Sequence, residues 1–275
     1  MQPSAKKYLA SFLAEDIKSG DITSRLLPRK KIIAYIISRE NGIVAGVQYA
    51  KEIFQSRNCK VVIHKKDGQQ VRPNQKIITI TGDTYPVLSC ERTALNLMSR
   101  MSGIATQTST YTKKIRSANP KVGLYSTRKT APGLRVFDKD AVVIGGGYRH
   151  RMSLDQMVMI KDNHIAASDS LLDLIRHAKL KHKKIEVEVE NLQDAITAAR
   201  EGAEIIMLDN MSPPKIREII KKLKQLNLRN KVKIEASGGI NHSNVVQYAR
   251  SGVDMISIGR LTSSVVGLDL SLEVN

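Results

Sequence analysis

Residues 126–135, STRKTAPGLR, set Arg128 and Lys129 side by side after an apolar stretch and just before a Pro-Gly turn. Adjacent cations repel each other, so the pair predicts anionic partners. Further along, GGGYRHRM (145–152) places His150 between Arg149 and Arg151. Two flanking arginines are expected to make His150 lose its proton readily, which suits hydrogen bonding or acid–base work. A basic surface turn is the plain alternative. From 128 to 161 the chain carries seven Lys or Arg against three Asp, a density suited to a multiply charged small anion.

Acidic groups follow. IEVEVE (185–190) alternates, so a strand there puts Glu186, Glu188 and Glu190 on one face. Such a face turns either toward cations or a metal-bound substrate, or outward as a solvated stripe. Asp209 ends the apolar run IIMLD, which favours two carboxylates at one mouth; such hard oxygen donors suit Mg2+ bridging to substrate phosphates. Two further runs end in ASGGI and SIGR. Glycine lets backbone N–H groups approach an anion closely, so the consecutive pair favours phosphate over two independent tight turns.

These residues need elements to hold them. Up to about residue 85 the pattern is strand-rich: KIIAYIIS (31–38), GIVAGV (42–47), KVVIHKKDGQQV (60–71) and KIITITG (76–82). PVLSCERTALNLMSRMSGIA (86–105) predicts a helix with Pro86 near its start and Gly103 near its end. After residue 110 apolar strand-like runs alternate with helical ones, which means a parallel sheet. Arg128-Lys129, Lys161-Asp162, Asp209-Asn210, Ser237-Gly238-Gly239 and Gly259-Arg260 each close an apolar run. A barrel gathers such strand ends at one mouth. It is preferred over a doubly wound sheet because no GxGxxG follows the first strand of the alternating region.

Composition narrows the partners. The 275 residues are 41% hydrophobic and 25% charged, with net charge +18. That balance favours anions, yet aromatics are only 4% and no stacking motif appears, which argues against nucleic acid. The basic run KKLKQLNLRNKVK (221–233) predicts the solvated face of a helix and its following loop. No stretch reaches the roughly 20 apolar residues of a membrane helix. The N-terminus repeats Tyr8, Leu9, Phe12 and Leu13 at helical spacing rather than as a signal peptide. Cys59 and Cys90 form no framework, so a cytoplasmic protein is expected.

Taken together and in order, EDIKSGDITS (15–24), ERTALNLMSRMSGIAT (91–106), STRKTAPGLR, GGGYRHRMSL, IKDNHI (160–165), EVEVENL, IIMLDN, IEASGGI and ISIGRLTSS resemble the quinolinate phosphoribosyltransferase family. The resemblance covers most of the chain. It implies an N-terminal α/β sandwich (1–110) and an irregular, partly open α/β barrel (111–275), with the C-terminal tail packing back on the first domain. It implies a homodimer or dimer-based assembly in which Arg92 is donated to the neighbour's site. Carried over by position, Arg128, His150, Arg151 and Lys161, with the neighbour's Arg92, match the quinolinate contacts. Lys129, Glu188 and Asp209 match contacts to phosphoribosyl pyrophosphate and its Mg2+, and Ser237, Gly238, Gly239 and Gly259 match the 5′-phosphate cradle. Lys129, Lys161, Glu188 and Asp209 form the catalytic set, with Lys161 or His150 as proton donor. Glu186 and Glu190 have no counterpart in the match.

The chain departs from the family pattern at Arg149, Ser153, Arg260 and Ser263. Arg260 either replaces the missing family histidine at Ser263 as a phosphate ligand or marks altered substrate handling. The implied activity is decarboxylating transfer of phosphoribose to quinolinate in NAD biosynthesis. The alternative is a related phosphoribosyltransferase for another pyridine or heterocyclic acid.

Overall fold

The computed structural model describes residues 3–168 and 170–275. It divides into two compact units, neither of them a single stretch of chain. The first gathers residues 1–109, 130–146 and 260–275; the second gathers 110–129 and 147–259.

In the first unit, α1 (Pro3–Ile17) buries Leu9 and Leu13. The strands β1 (Lys31–Ser38), β3 (Lys60–Ile63), β5 (Lys76–Asp83) and β12 (Leu270–Val274) form an antiparallel sheet in the order β12-β1-β5-β3. Strand β1 shows why: Ile32, Ala34, Ile36 and Ser38 alternate inward, the period of a sheet with one buried face.

GIVAGV, expected as one strand, is mostly not one. Only Gly42–Ile43 (β2) pairs, with Gln70–Val71 (β4), and Val47 already opens helix α2 (Val47–Gln55). The amide of Ala45 donates to Ser102 Oγ at 2.9 Å and that of Val47 to Asp67 Oδ1 at 2.9 Å. Side chains there take the donors a neighbouring strand would need.

Helix α3 (Thr84–Ala118) also differs from expectation, running 35 residues straight past Gly103. That glycine makes room for a close approach: a Cβ there would lie 2.0 Å from the carbonyl oxygen of Val266. Arg100 on α3 holds Asp138 of α4 (Arg135–Ile144) through Nε–Oδ1 at 2.7 Å and a second guanidinium nitrogen to Oδ2 at 2.9 Å. The latter nitrogen also donates to the carbonyl of Thr262, 3.1 Å away on α10 (Arg260–Ser263).

The second unit is built on β6 (Gly123–Tyr125), β7 (Val158–Ile160), β8 (Ile185–Val189), β9 (Ile205–Asp209), β10 (Lys233–Ser237) and β11 (Met255–Ser257). All pairs are parallel, in the order β6-β11-β10-β9-β8-β7. This is the partly open barrel: the sheet winds through six strands, with β6 and β7 its two unjoined edges among the described residues. Helices α5 (Asp162–Ala166), α6 (Leu171–Lys181), α7 (Leu192–Arg200), α8 (Pro213–Gln225) and α9 (Val245–Ala249) lie between strands. Ser170 and Asn191 cap α6 and α7 by accepting from the amides of Asp173 and Asp194. Helix α8 buries Ile216, Ile219, Ile220 and Leu223, while Lys221, Lys222 and Lys224 are exposed, as expected of a solvated basic face.

Candidate active site

Parallel strands end on the same edge of their sheet, so the second unit delivers its polar strand ends to one side. Arg128 and Lys129 follow β6, Lys161 follows β7, Glu188 lies near the end of β8, Asp209 ends β9, Ser237 ends β10 and Gly259 follows β11. Ser237 stands beside Asp209 in register. Arg92, exposed on α3, and Arg260, the exposed first residue of α10, belong to the first unit.

Of the expected cations, Arg128 and Arg151 lie near enough for the charge of one to act on the other. Arg128 is half-buried, and its Nε is enclosed with no hydrogen-bond partner among the described residues. Arg151 donates to the carbonyl of Met157 at 3.1 Å and meets the sulfur of Met159 at 3.2 Å. Burial and then the charge of Arg128 hold the Arg151 guanidinium below its ordinary range. The enclosed, unpaired Arg128 Nε is a donor of the kind that pairs with a carboxylate.

His150 corrects the expectation that flanking arginines would discharge it. Its neighbours in space are carboxylates: Nε2 lies 3.3 Å from Glu186 Oε2 and 3.3 Å from Glu235 Oε2. Burial alone would lower its affinity for a proton, but the two glutamates override it and raise the imidazole to about 9. His150 also adopts a φ of 54°, unusual for a residue with a Cβ, and sets its ring edge-on to Tyr125 with centroids 5.9 Å apart. Tyr125 stacks on Tyr148 at 4.9 Å.

The acidic strand resolves into separate roles. Glu186 is fully buried and Glu188 is partly exposed, both on β8, whereas Glu190 lies beyond the strand end and is exposed. Glu186 and Glu188, two residues apart on one strand, share a face as expected, and only Glu190 falls outside the strand. Glu188 is held by the ammonium of Lys161. Asp209 accepts from the Asn210 amide at 2.6 Å. Burial, and next to it the charge of Glu235, push the Glu186 carboxyl up, while His150 pulls it down.

At the end of β10 the chain turns through Gly238 (φ 83°) and Gly239 (φ 63°). A Cβ at Gly238 would meet Asn210 Oδ1 at 2.2 Å, so only glycine lets this turn pack on the end of β9. Gly259 lies against Lys129: a Cβ there would come within 2.9 Å of the lysine Cδ.

Glu235 alone escaped the sequence reading, while Asn210 and Glu186 were named there without a settled role. Asn210 shows no signal beyond its place after Asp209. Glu235 sits inside the apolar run of IEASGG, where a buried acid is itself a signal. Glu186 was legible through alternation with Glu188.

Models of the quinolinate phosphoribosyl transferase N-terminal and C-terminal domains match residues 21–102 and 104–273. The Methanothermobacter thermautotrophicus protein named "Probable nicotinate-nucleotide pyrophosphorylase (carboxylating)" is 43% identical over 272 residues, covering 97% of this chain and 97% of that protein. The Archaeoglobus fulgidus protein of the same name is 44% identical over 255 residues, covering 93% of this chain and 98% of the relative. The solved nicotinate-nucleotide pyrophosphorylase of Ehrlichia chaffeensis is 36% identical, with a TM-score of 0.93 and 100% of both chains covered.

Proposed function

The chain belongs to the quinolinate phosphoribosyltransferase family, and from that premise we propose that it makes nicotinate mononucleotide, pyrophosphate and CO2 from quinolinate and phosphoribosyl pyrophosphate. The observation that carries this reading is the orphan Nε of Arg128, near enough to Arg151 for the charge of one to act on the other. Quinolinate is a dianion with adjacent carboxylates, and paired guanidinium groups fix such a ring in one orientation. His150 and Lys161 supply further positive charge, and Arg92 from a second copy completes the set in a homodimer.

The ring nitrogen attacks the anomeric carbon as the bond to pyrophosphate breaks. Lys129, packed against Gly259, meets the departing phosphates, and the Ser237–Gly239 turn with Gly259 holds the 5′-phosphate. Glu188 and Asp209 present carboxylate oxygens from neighbouring strands, a donor set that fits Mg2+. Glu188 and Asp209 would hold such an ion, which would supply charge neutralisation to the leaving pyrophosphate. As the carboxylate next to the ring nitrogen leaves as CO2, the electron pair of the broken bond stays on the ring carbon that bore it, stabilised by the adjacent positive nitrogen. The same ring carbon takes a proton from Lys161 or His150. Free, buried Cys59 and Cys90 support a cytoplasmic setting.

The test is direct. Purified protein with quinolinate, phosphoribosyl pyrophosphate and Mg2+ releases CO2 and nicotinate mononucleotide in equal amounts, and Arg128→Ala abolishes turnover with an unchanged melting temperature. No nucleotide and no CO2 would overturn the proposal. Preferential turnover of another pyridine acid would support the related transferase instead.

A further inference from the structure

Three groups in the second unit are tied together more tightly than binding a substrate carboxylate requires. Glu186 on β8 and Glu235 on β10 are both 0% exposed, and both aim a carboxylate oxygen at the same nitrogen, His150 Nε2, from 3.3 Å. Glu235 takes the hydrogen bond. Both oxygens of Glu186 and Oε1 of Glu235 have no hydrogen-bond partner among the described residues. Buried carboxylates without partners are strongly unfavourable unless a nearby cation compensates them. The other edge of the ring is also engaged: the amide of Arg151 donates to Nδ1 at 2.9 Å.

We propose that Glu186 and Glu235 are positioning residues that pin a permanent proton on Nε2 of His150, leaving Nδ1 as the edge where the ring gains or loses its positive charge. Nε2 faces two acceptors and no donor, so it carries hydrogen in every charge state. At Nδ1 the Arg151 amide competes with a proton, and the two carboxylates across the ring favour the proton. The groups facing His150 are Glu186, Glu235, Tyr125 of β6 and Arg151 of its own segment, and the charge of Arg128 acts in turn on Arg151. The acids dominate: the ring is charged at neutral pH and loses that charge as pH rises through about 9. The glutamates thus decide whether the site presents a third cation to an incoming dianion. That last consequence rests on the quinolinate reading; the clamp itself does not.

The experiment separates the two. Nitrogen-15 NMR on protein labelled at its six histidines reads protonation at each ring nitrogen, with His150→Asn used only to assign the signal. In the wild type, Nε2 of His150 stays protonated throughout, and Nδ1 titrates with a midpoint near 9. Glu235→Gln and Glu186→Gln each lower that midpoint by roughly one unit or more, as expected for loss of one buried opposite charge. In kinetics, the pH at which kcat/KM for quinolinate falls moves down with the midpoint. A merely structural role would lower activity without moving that pH.

A wild-type midpoint at the ordinary histidine value overturns the clamp, as does a midpoint unmoved in both folded variants. So does a stoichiometric metal ion that leaves with chelator and shifts the Nε2 signal, since Nε2 would then be a ligand. If neither variant folds, the wild-type titration decides alone. A protein that titrates as stated but ignores quinolinate keeps the clamp and removes the proposed function.

Discussion

Arg100 and Asp138 offer an asymmetric test of how the first unit is held together. The Asp138 side chain is 0% exposed, whereas that of Arg100 is 25% exposed. Arg100→Met removes both guanidinium bonds to Asp138 and the bond to the Thr262 carbonyl, stranding a carboxylate with no water access. Breaking a buried pair in this way costs about 3–5 kcal/mol. For a chain of this size each kcal/mol lowers Tm by about 2–4 °C, so a fall on the order of 10 °C follows. Asp138→Leu strands the arginine instead, which water reaches, so the loss is smaller, about 1–3 kcal/mol. The double variant Arg100→Met/Asp138→Leu recovers much of the loss, because an apolar pair of similar volume replaces the ions. Urea unfolding and calorimetry on the four proteins measure the cycle. A loss under about 1 kcal/mol for Arg100→Met, or Asp138→Leu proving the more damaging variant, would refute the burial argument.

Two further outcomes are expected. Gly103→Ala destabilises by about 1–3 kcal/mol, because its methyl group would sit 2.0 Å from the Val266 oxygen inside a helix that otherwise favours alanine; a rise in Tm would mean that the 260–275 segment yields freely. Cys59 and Cys90 stay unlabelled by a thiol reagent at neutral pH until urea is added, since burial pushes both thiols up, Cys90 to about 12; rapid labelling of the native protein would contradict this.

The strand ends were legible in the sequence because parallel strands leave a simple record: an apolar run, then a polar residue at its close. Arg128, Lys161, Asp209 and Ser237 all follow that rule. What sequence proximity could not supply was the environment of His150. Arg149 and Arg151 adjoin it along the chain, but Glu186 and Glu235, 36 and 85 residues away, adjoin it in space and reverse the expected charge. Gly103 misled for a related reason. Its role is a close approach by residue 266, which local helix-stop rules do not contain. GIVAGV likewise lost its strand because its amides donate to Ser102 and Asp67, both remote in sequence.

The chain's threading has a consequence for dissecting or recombining it. Residues 130–146 leave the parallel-sheet unit immediately after Lys129 and return at Gly147, three residues before His150. That excursion carries Phe137, which packs edge-on against Tyr8 at 6.2 Å and against Tyr49 at 4.9 Å. A gene fragment cut at a single point therefore takes with it a strip that belongs to the other half's core, and leaves that core with an open slot. Exchange between relatives has to move three segments together, which makes the whole chain, rather than either half, the module that inheritance can trade.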